Sequence, residues 1–317
     1  MKKIGVLYGM EQTFPPALVD HINAMGVPGV VAEHLKVGAV EMAMPSGYAV
    51  IVDRISHDIP FYRSYLKNAV LTGTQVINNP FWWSADDKFF NYALATKLGV
   101  AIPPTVLLPH KDHPAGTTDR SMRNLEYPLN WDRVFEYVGF PAFLKPHDGG
   151  GWKNVSKVDN PEEFFRAYNE SGNLCMTLQR GVNFQEYFRC YGIDRRKVHV
   201  MRYDPSQPHH LRYVPGNPPP SPALGERMVA DALKICNALG YDLNTVEFAV
   251  EDGIPYAIDF MNPAPDAAIE SVGKDNFEWV VSAVAEMAVA RAQTEAPALP
   301  YNWATLLAPP KAATAKE

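Results

Sequence analysis

Cysteine is scarce: Cys175, Cys190 and Cys236 are the only three. They stand at neither metal-ligand nor redox-motif spacing, which argues against a disulfide scaffold and a zinc knuckle and for free thiols in a reducing compartment. An apolar run of about 18 residues is also missing, so no membrane-spanning helix is expected. Met1-Lys2-Lys3 leads directly into a strand pattern with no leader-like apolar stretch, and the expected location is the cytoplasm. A net charge of −6 gives no cationic footprint for nucleic acid or an anionic membrane surface. Gly5 and Gly9 do not make a dinucleotide fingerprint, and the histidines lack the His-x-x-x-His spacing of a metal site. No Ser-His-Asp or Cys-His arrangement and no internal repeat is visible.

What remains is a globular chain, 47% apolar and 20% charged, long enough for two or three subdomains. Over residues 1–79 strand patterns (3–8, 30–32, 48–52, 74–77) alternate with helical ones (15–26, 60–70). Such alternation implies an open parallel α/β unit. Ligands of such sheets sit beyond the carboxyl ends of the strands, which puts residues 9–12 and Arg54 at a rim. Ser84 reads as the N-cap of the next helix with Asp87 at N3, and Gly99 closes it. Lys88 then lies in the first turn, unfavourable for a cation unless an anion is also there. A strand broken by Pro103-Pro104 ends at Leu108, and residues 109–130 read as a loop. Asn160-Pro161-Glu162-Glu163 opens a helix to about 169. Strands follow at 174–178 and 197–203, the latter after Asp194-Arg195-Arg196. Seven prolines make 205–222 a loop. Helices are predicted over 224–239 and 276–292.

Two constellations carry chemistry. An apolar run, Phe140 to Leu144, delivers Lys145 to a strand end, and Gly149, Gly150 and Gly151 follow. Successive glycines let backbone N–H groups turn toward an anion, and the ammonium adds a point charge; a solvated loop is the alternative. In the predicted hairpin 245–262, Val246, Phe248 and Val250 share one face and leave Glu247 on the other, as Tyr256, Ile258 and Phe260 leave Asp259. A three-residue loop, Glu251-Asp252-Gly253, would pair Glu247 with Ala257 and make Asp259 its diagonal neighbour. Facing acids require a basic partner or an oxygen-seeking cation, the latter shared with phosphates and water. Asn262 would add a carbonyl oxygen. The alternative is an ordinary solvated hairpin face.

In order and spacing, residues 75–266 resemble the ATP-grasp superfamily, nearest the glutathione-synthetase and ribosomal-protein-modifying (RimK-like) ligase branch. The resemblance implies an α/β chain, α+β in its C-terminal part: an ATP-grasp fold behind an N-terminal Rossmann-like domain. The divisions expected are 1–79 for that domain, 80–190 for a first ATP-grasp part with a glycine loop at 147–153, 191–295 for a second part with the metal hairpin, and a mobile tail at 296–317. It further implies that Lys88 and Lys145 contact ATP phosphates under the glycine flap, and that Gln185-Glu186-Tyr187-Phe188 forms the adenine hinge. By the same resemblance Asp194 holds the ribose, Arg196 faces the transferred phosphoryl group, and Glu247, Asp259 and Asn262 bind magnesium. The family keeps acid-x-Asn where this chain has Asp259-Phe260-Met261-Asn262. Either a bulge at Phe260-Met261 restores convergence or one of the two is not a ligand. The activity implied is an ATP- and Mg2+-dependent carboxylate–amine ligase, forming an amide through an acyl phosphate from a small amino acid or peptide. Its partners would be a small-molecule acid and amine, with a homodimer possible. Arg54 and Arg212 are the candidates for the acceptor carboxylate. A phosphotransferase acting on a hydroxyl, or an ATP-binding protein with little turnover, are the alternatives.

Overall fold

Alternating strand and helix patterns build a parallel sheet at the start of the chain. The computed structural model describes residues 1–82, 87–149, 152–213, 218–295 and 303. Strand β1 (Lys2–Leu7) leads to helix α1 (Phe14–Ala24), β2 (Val30–His34), β3 (Val50–Asp53), α2 (Pro60–Leu71) and β4 (Gln75–Ile77). These strands pair in the order β2-β1-β3-β4, all parallel. Parallel sheets are covered on both faces, and the apolar runs of β1 and β3 fit that. Ile4, Val6, Val50 and Val52 point to one core, while Leu7 and Ile51 meet Leu66 and Ala69 of α2 in another.

Helix α3 (Lys88–Lys97) packs Tyr92 and Ala95 into the core of the third sheet. A second unit holds β5 (Thr105–Leu108), α4 (Trp131–Val138), β6 (Ala142–Pro146), β7 (Ser156–Val158), α5 (Pro161–Glu170) and β8 (Met176–Arg180). Its sheet is antiparallel in the order β5-β8-β6-β7. Helix α3 is capped by Asp87, whose side chain accepts from the Phe90 N–H. Ser84, the expected cap, lies outside the described residues. Helix α4 and strand β7 were not anticipated. Yet Asn130 caps α4, and Trp131, Val134, Phe135 and Val138 recur at helical spacing. Trp131 and Phe135 pack on Phe164 of α5.

The third sheet contains β9 (Glu186–Ile193), β10 (Lys197–Arg202), β11 (Leu243–Glu251) and β12 (Ile254–Asp259), antiparallel in the order β10-β9-β11-β12. The boundary expected at 190 falls inside β9, which belongs wholly to this sheet. The chain crosses from second to third sheet at Gly181. Its N–H donates to the Pro141 carbonyl, and an added Cβ would stand 2.8 Å from that oxygen, closer than real contacts allow. Helices α6 (Pro222–Leu239), α7 (Ile269–Val272) and α8 (Lys274–Gln293) complete the third unit, with one 3-10 turn at His209–Leu211. The tail expected from residue 296 lies, Trp303 apart, outside the described residues. Among those described, no helix is long and apolar enough to cross a membrane.

Helix α8 is buried on both sides. Val280, Val284 and Ala288 share one core with Ile4 and Val52 of the first sheet and Tyr191 and Leu243 of the third. Asn78, just after β4, fastens the same junction: its amide donates to the carbonyls of Leu243 and Pro263 and accepts from the N–H groups of Asp242 and Leu243. Asn78→Ala would leave those buried backbone groups unpaired. It is expected to cost about 3 kcal/mol or more, read as a lower denaturant midpoint.

Candidate active site

Strand alternation sends one face of each of two sheets into a common cleft. On β6, Ala142 and Leu144 enter the core under α4 and α5, leaving Phe143 and Lys145 on the cleft side. On β11, Val246 and Phe248 pack against α6, leaving Glu247 and Ala249 to line the cleft. Its walls enclose about 1170 Å3, open mouth included.

The hairpin that carries the acids differs from the expected one. Glu251 pairs with Ile254, so the loop is the two-residue Asp252-Gly253, with φ of 53° and 75°. Two positive φ values are the signature of the tight hairpin turn whose twist matches its strands. The register then shifts by one: Phe248 faces Ala257, and Glu247 faces Asp259 directly. Ile258 is therefore the extra residue of a β-bulge, and the bulge sits there and not at Phe260-Met261. Its consequence is that Ile258 and Asp259 both line the cleft. Asn262 is turned onto β11, its side-chain amide donating to the Thr245 carbonyl at 3.0 Å and its backbone N–H to Asn244 Oδ1.

Burial pushes the Glu247 carboxyl above its ordinary range; Arg189 opposes this and Asp259 adds to it. Arg189 and Tyr187, both on β9, hold Glu247: Arg189 Nε stands 3.4 Å from Oε1, and the Tyr187 hydroxyl donates to Oε2. Arg189 also donates to the Tyr213 hydroxyl at 2.8 Å. Burial works against its charge, but Tyr213 and Glu247 outweigh it and keep the guanidinium protonated. Across the cleft, Lys145 Nζ donates to Gln179 Oε1 and to the Tyr92 hydroxyl, each at 2.8 Å. Burial brings its pKa down to about 8, with Asp259 raising it and Lys88 lowering it. Lys88, at the start of α3, donates through Nζ to the carbonyls of Asp148 and Gly149. Its pKa is lowered by burial in turn, against the pull of Asp259 and Asp148.

Of the residues singled out in the sequence, Lys88, Lys145, Tyr187, Glu247, Asp259 and Arg212 thus converge on one cleft. Gly149 ends the described part of the loop that receives Lys88; Gly150 and Gly151 lie outside it. The others sit elsewhere. Arg196 is 83% exposed, in the turn joining β9 to β10 with Asp194, roughly 20 Å along β9 from Tyr187. Asp194 is held there by Arg291 of α8 at 2.9 Å. Glu186 and Phe188 are paired with β11, Glu186 is ion-paired to Arg202, and the Gln185 N–H donates to the Val250 carbonyl. A backbone committed to a sheet has no groups to offer a base. The segment that lines the cleft outside a ladder is the crossing, with Val182 and Phe184 beside Arg180 at the end of β8. Arg54 is buried, bonded to the Glu11 carboxylate and the Pro265 carbonyl, and does not line the cleft. Arg212 does, bonding the Gln207 carbonyl and the Tyr203 hydroxyl. Arg189, Tyr92 and Gln179 were missed. Arg189 carries a signal in hindsight: a lone cation in the apolar run of β9.

No family model matches the chain. A D-alanine–D-alanine ligase of Synechococcus sp. (strain WH7803) is 26% identical over 121 residues, 34% of this chain and 34% of that protein. The chain therefore spans about a third of that curated relative. Solved structures match far more. The ATP-grasp ligase PsnB, complexed with minimal precursor, Mg and ADP, superposes with a TM-score of 0.61 at 14% identity, covering 92% of this chain and 98% of PsnB. A RimK domain ATP-grasp protein from Sphaerobacter thermophilus gives 0.59 at 16% identity, over 90% and 99%. The chain has the ATP-grasp fold.

That ATP-grasp cleft depends on the Arg189–Glu247 pair. Arg189→Met is expected to cost about 3 kcal/mol at pH 7. Losing the cation raises the folded-state pKa of Glu247 further, so the penalty appears above its unfolded pKa, where folding must bind a proton or bury the charge, and shrinks toward pH 4. Urea unfolding at both pH values checks this.

Proposed function

We propose that the protein is an ATP- and magnesium-dependent carboxylate–amine ligase joining a small amino acid or peptide to an amine. The observation that carries the reading is the meeting, in one cleft, of Lys88 and Lys145 with the directly facing Glu247 and Asp259, Arg189 lying behind Glu247. ATP would transfer its γ-phosphoryl group to the acceptor carboxylate, giving an acyl phosphate and ADP. An amine would then attack the acyl carbon, expelling phosphate and losing a proton. Such chemistry needs positioning and charge neutralisation more than a protein nucleophile.

Lys88 and Lys145 neutralise the phosphates, Lys88 from beside the carbonyls of Asp148 and Gly149. The role first assigned to Arg196 passes to Arg189, since only Arg189 is placed beside Glu247. The base-binding role passes from residues 185–188 to the crossing after β8, where Val182 and Phe184 line the cleft outside any ladder, and Asp194 has no part in the cleft. Arg212 is the candidate for the acceptor carboxylate, and Arg54, already neutralised by Glu11, is not. The donor set fits magnesium: Glu247 and Asp259 are both oxygen ligands, burial with a like charge raises the Glu247 pKa, and a cation relieves both effects. Among the described residues no cluster of three or more His, Cys, Asp or Glu could hold a metal alone, which agrees with an ion shared with phosphate oxygens. Magnesium there would offset charge on the transferred phosphoryl group. Asn262, one pair step from Glu247 beside Thr245, completes the set in this reading. PsnB, of the same fold, holds magnesium and ADP, which supports the nucleotide assignment. Consumption of ATP, with three free thiols, is consistent with the cytoplasm.

A mass-spectrometric screen of amino acids and short peptides for ADP-coupled amide product tests the reading. Lys145→Ala is expected to abolish ADP release, and full release by that variant overturns the phosphate-site assignment. Lys145 also sets a pH dependence. With a pKa of about 8, the free protein carries the ammonium below that pH and loses it above. ATP selects the charged form, so affinity should fall about tenfold between pH 7 and pH 9. Calorimetric titration at both pH values, with Lys145→Met showing no such basic limb, checks the sign.

A further inference from the structure

Tyr92 takes part in none of the roles assigned above, yet its hydroxyl lies between the two halves of the cleft. Helix α3 places it one turn after Lys88, on the same face. The ring belongs to the core of the third sheet: it is 2% exposed and packs edge-on to Phe260 at 5.5 Å. Its hydroxyl accepts from Lys145 Nζ at 2.8 Å, and Lys145 belongs to the second sheet. The same hydroxyl donates to the Ile258 carbonyl at 3.0 Å. Ile258 is the extra residue of the β12 bulge, the one that brings Asp259 opposite Glu247. The direction of the chain is fixed, because a carbonyl only accepts: the phenol must donate to Ile258, and its lone pairs are left for the ammonium.

We infer that Tyr92 is a positioning residue whose hydroxyl ties the phosphate-facing Lys145 to the bulge presenting Asp259, so that metal and triphosphate binding are coupled through one side chain. This rests on the proposed nucleotide site. The two anchors of Lys145 differ in what they touch. Gln179 accepts from Lys145 through Oε1 and donates through Nε2 to Thr105, so both its partners lie in the second sheet. Tyr92 alone of the two reaches the hairpin. Removing either acceptor loosens the ammonium; removing the phenol also releases the bulge carbonyl.

The two substitutions therefore separate. ATP dissociation constants are measured by calorimetry with excess Mg2+ and again in EDTA, for the unaltered protein, Tyr92→Phe and Gln179→Met. Each variant loses a hydrogen bond to a charged group and is expected to bind ATP roughly tenfold more weakly. Gln179→Met should weaken both conditions alike and keep the ratio of the two constants. Tyr92→Phe should lower that ratio at least about threefold, as for a released buried hydrogen bond. A general loss of stability, followed separately by thermal melting, would not single out the magnesium ratio. A ratio unchanged in Tyr92→Phe, or lowered equally in Gln179→Met, overturns the inference while leaving the nucleotide site standing. Absence of Mg2+-dependent ATP binding in the unaltered protein overturns that reading and the inference with it. If Tyr92→Phe does not fold, Tyr92→His, which keeps an aromatic ring but carries its two nitrogens short of the position of the phenol oxygen, is read by the same ratio.

Discussion

Glu247 and Asp259 face each other on adjacent strands with Glu247 largely buried, and the other charged groups of the cleft are arranged around that unfavourable pairing. Like charges so placed repel, and burial removes the water that would screen them. Arg189 answers from the neighbouring strand β9, and the Tyr187 hydroxyl takes one carboxylate oxygen. Lys145 and Lys88 answer across the cleft, each with a pKa drawn upward by Asp259 against a larger downward push from burial. Three cations thus answer two facing anions, with burial opposing the charge of Glu247, Lys145, Lys88 and Arg189 alike. Such incomplete compensation is what a metal ion and a polyphosphate together would finish.

The parts of this arrangement that alternation alone decides were legible in the sequence. Lys145 on β6 and Glu247 on β11 follow from counting residues along strands whose apolar positions mark the core face. The parallel sheet followed from alternation of a different kind, strands with helices. What alternation cannot supply is pairing. Glu251-Asp252-Gly253 permits a three-residue loop, which makes Asp259 the diagonal neighbour of Glu247 with no bulge at all, whereas the observed two-residue loop needs the bulge at Ile258 to bring the two acids face to face. Turn length and bulge position compensate each other, so a sequence with one glycine in the turn leaves both open.

Partners across the sheet were invisible for the same reason. Arg189 meets Glu247 only because β9 lies between β10 and β11, and its place as a lone cation in an apolar run marks a buried charge without naming its partner. Arg195 and Arg196 drew notice by following an aspartate, yet Arg195 and Asp194 serve a structural network with Asp242 and Arg291. Helix α4 was hidden differently: its cap and its apolar positions were present, but residues 131–139, between a loop ending at 130 and the apolar run from Phe140, were assigned no element.

The distribution of apolar cores sets what this molecule can do mechanically. The first and third sheets share one core through α8, and Asn78 pins the same junction, so these two move together. Among the described residues the buried core of the second sheet draws only on its own strands and on α4 and α5. Its ties to the third sheet are polar: Lys145 to Tyr92, and Arg180 to Glu251 at 2.8 Å. Apolar contact resists separation wherever it is made, whereas hydrogen bonds and ion pairs exchange readily for water and ligand. Relative motion of domains about such a polar seam is the ordinary way a cleft admits and then encloses its ligand. In the proposed function Lys145 faces the phosphates, and it is itself one of the seam's ties, so a bound triphosphate would compete for the contact that holds the halves together. Closure and ligand charge would thereby be linked in the architecture of the cleft.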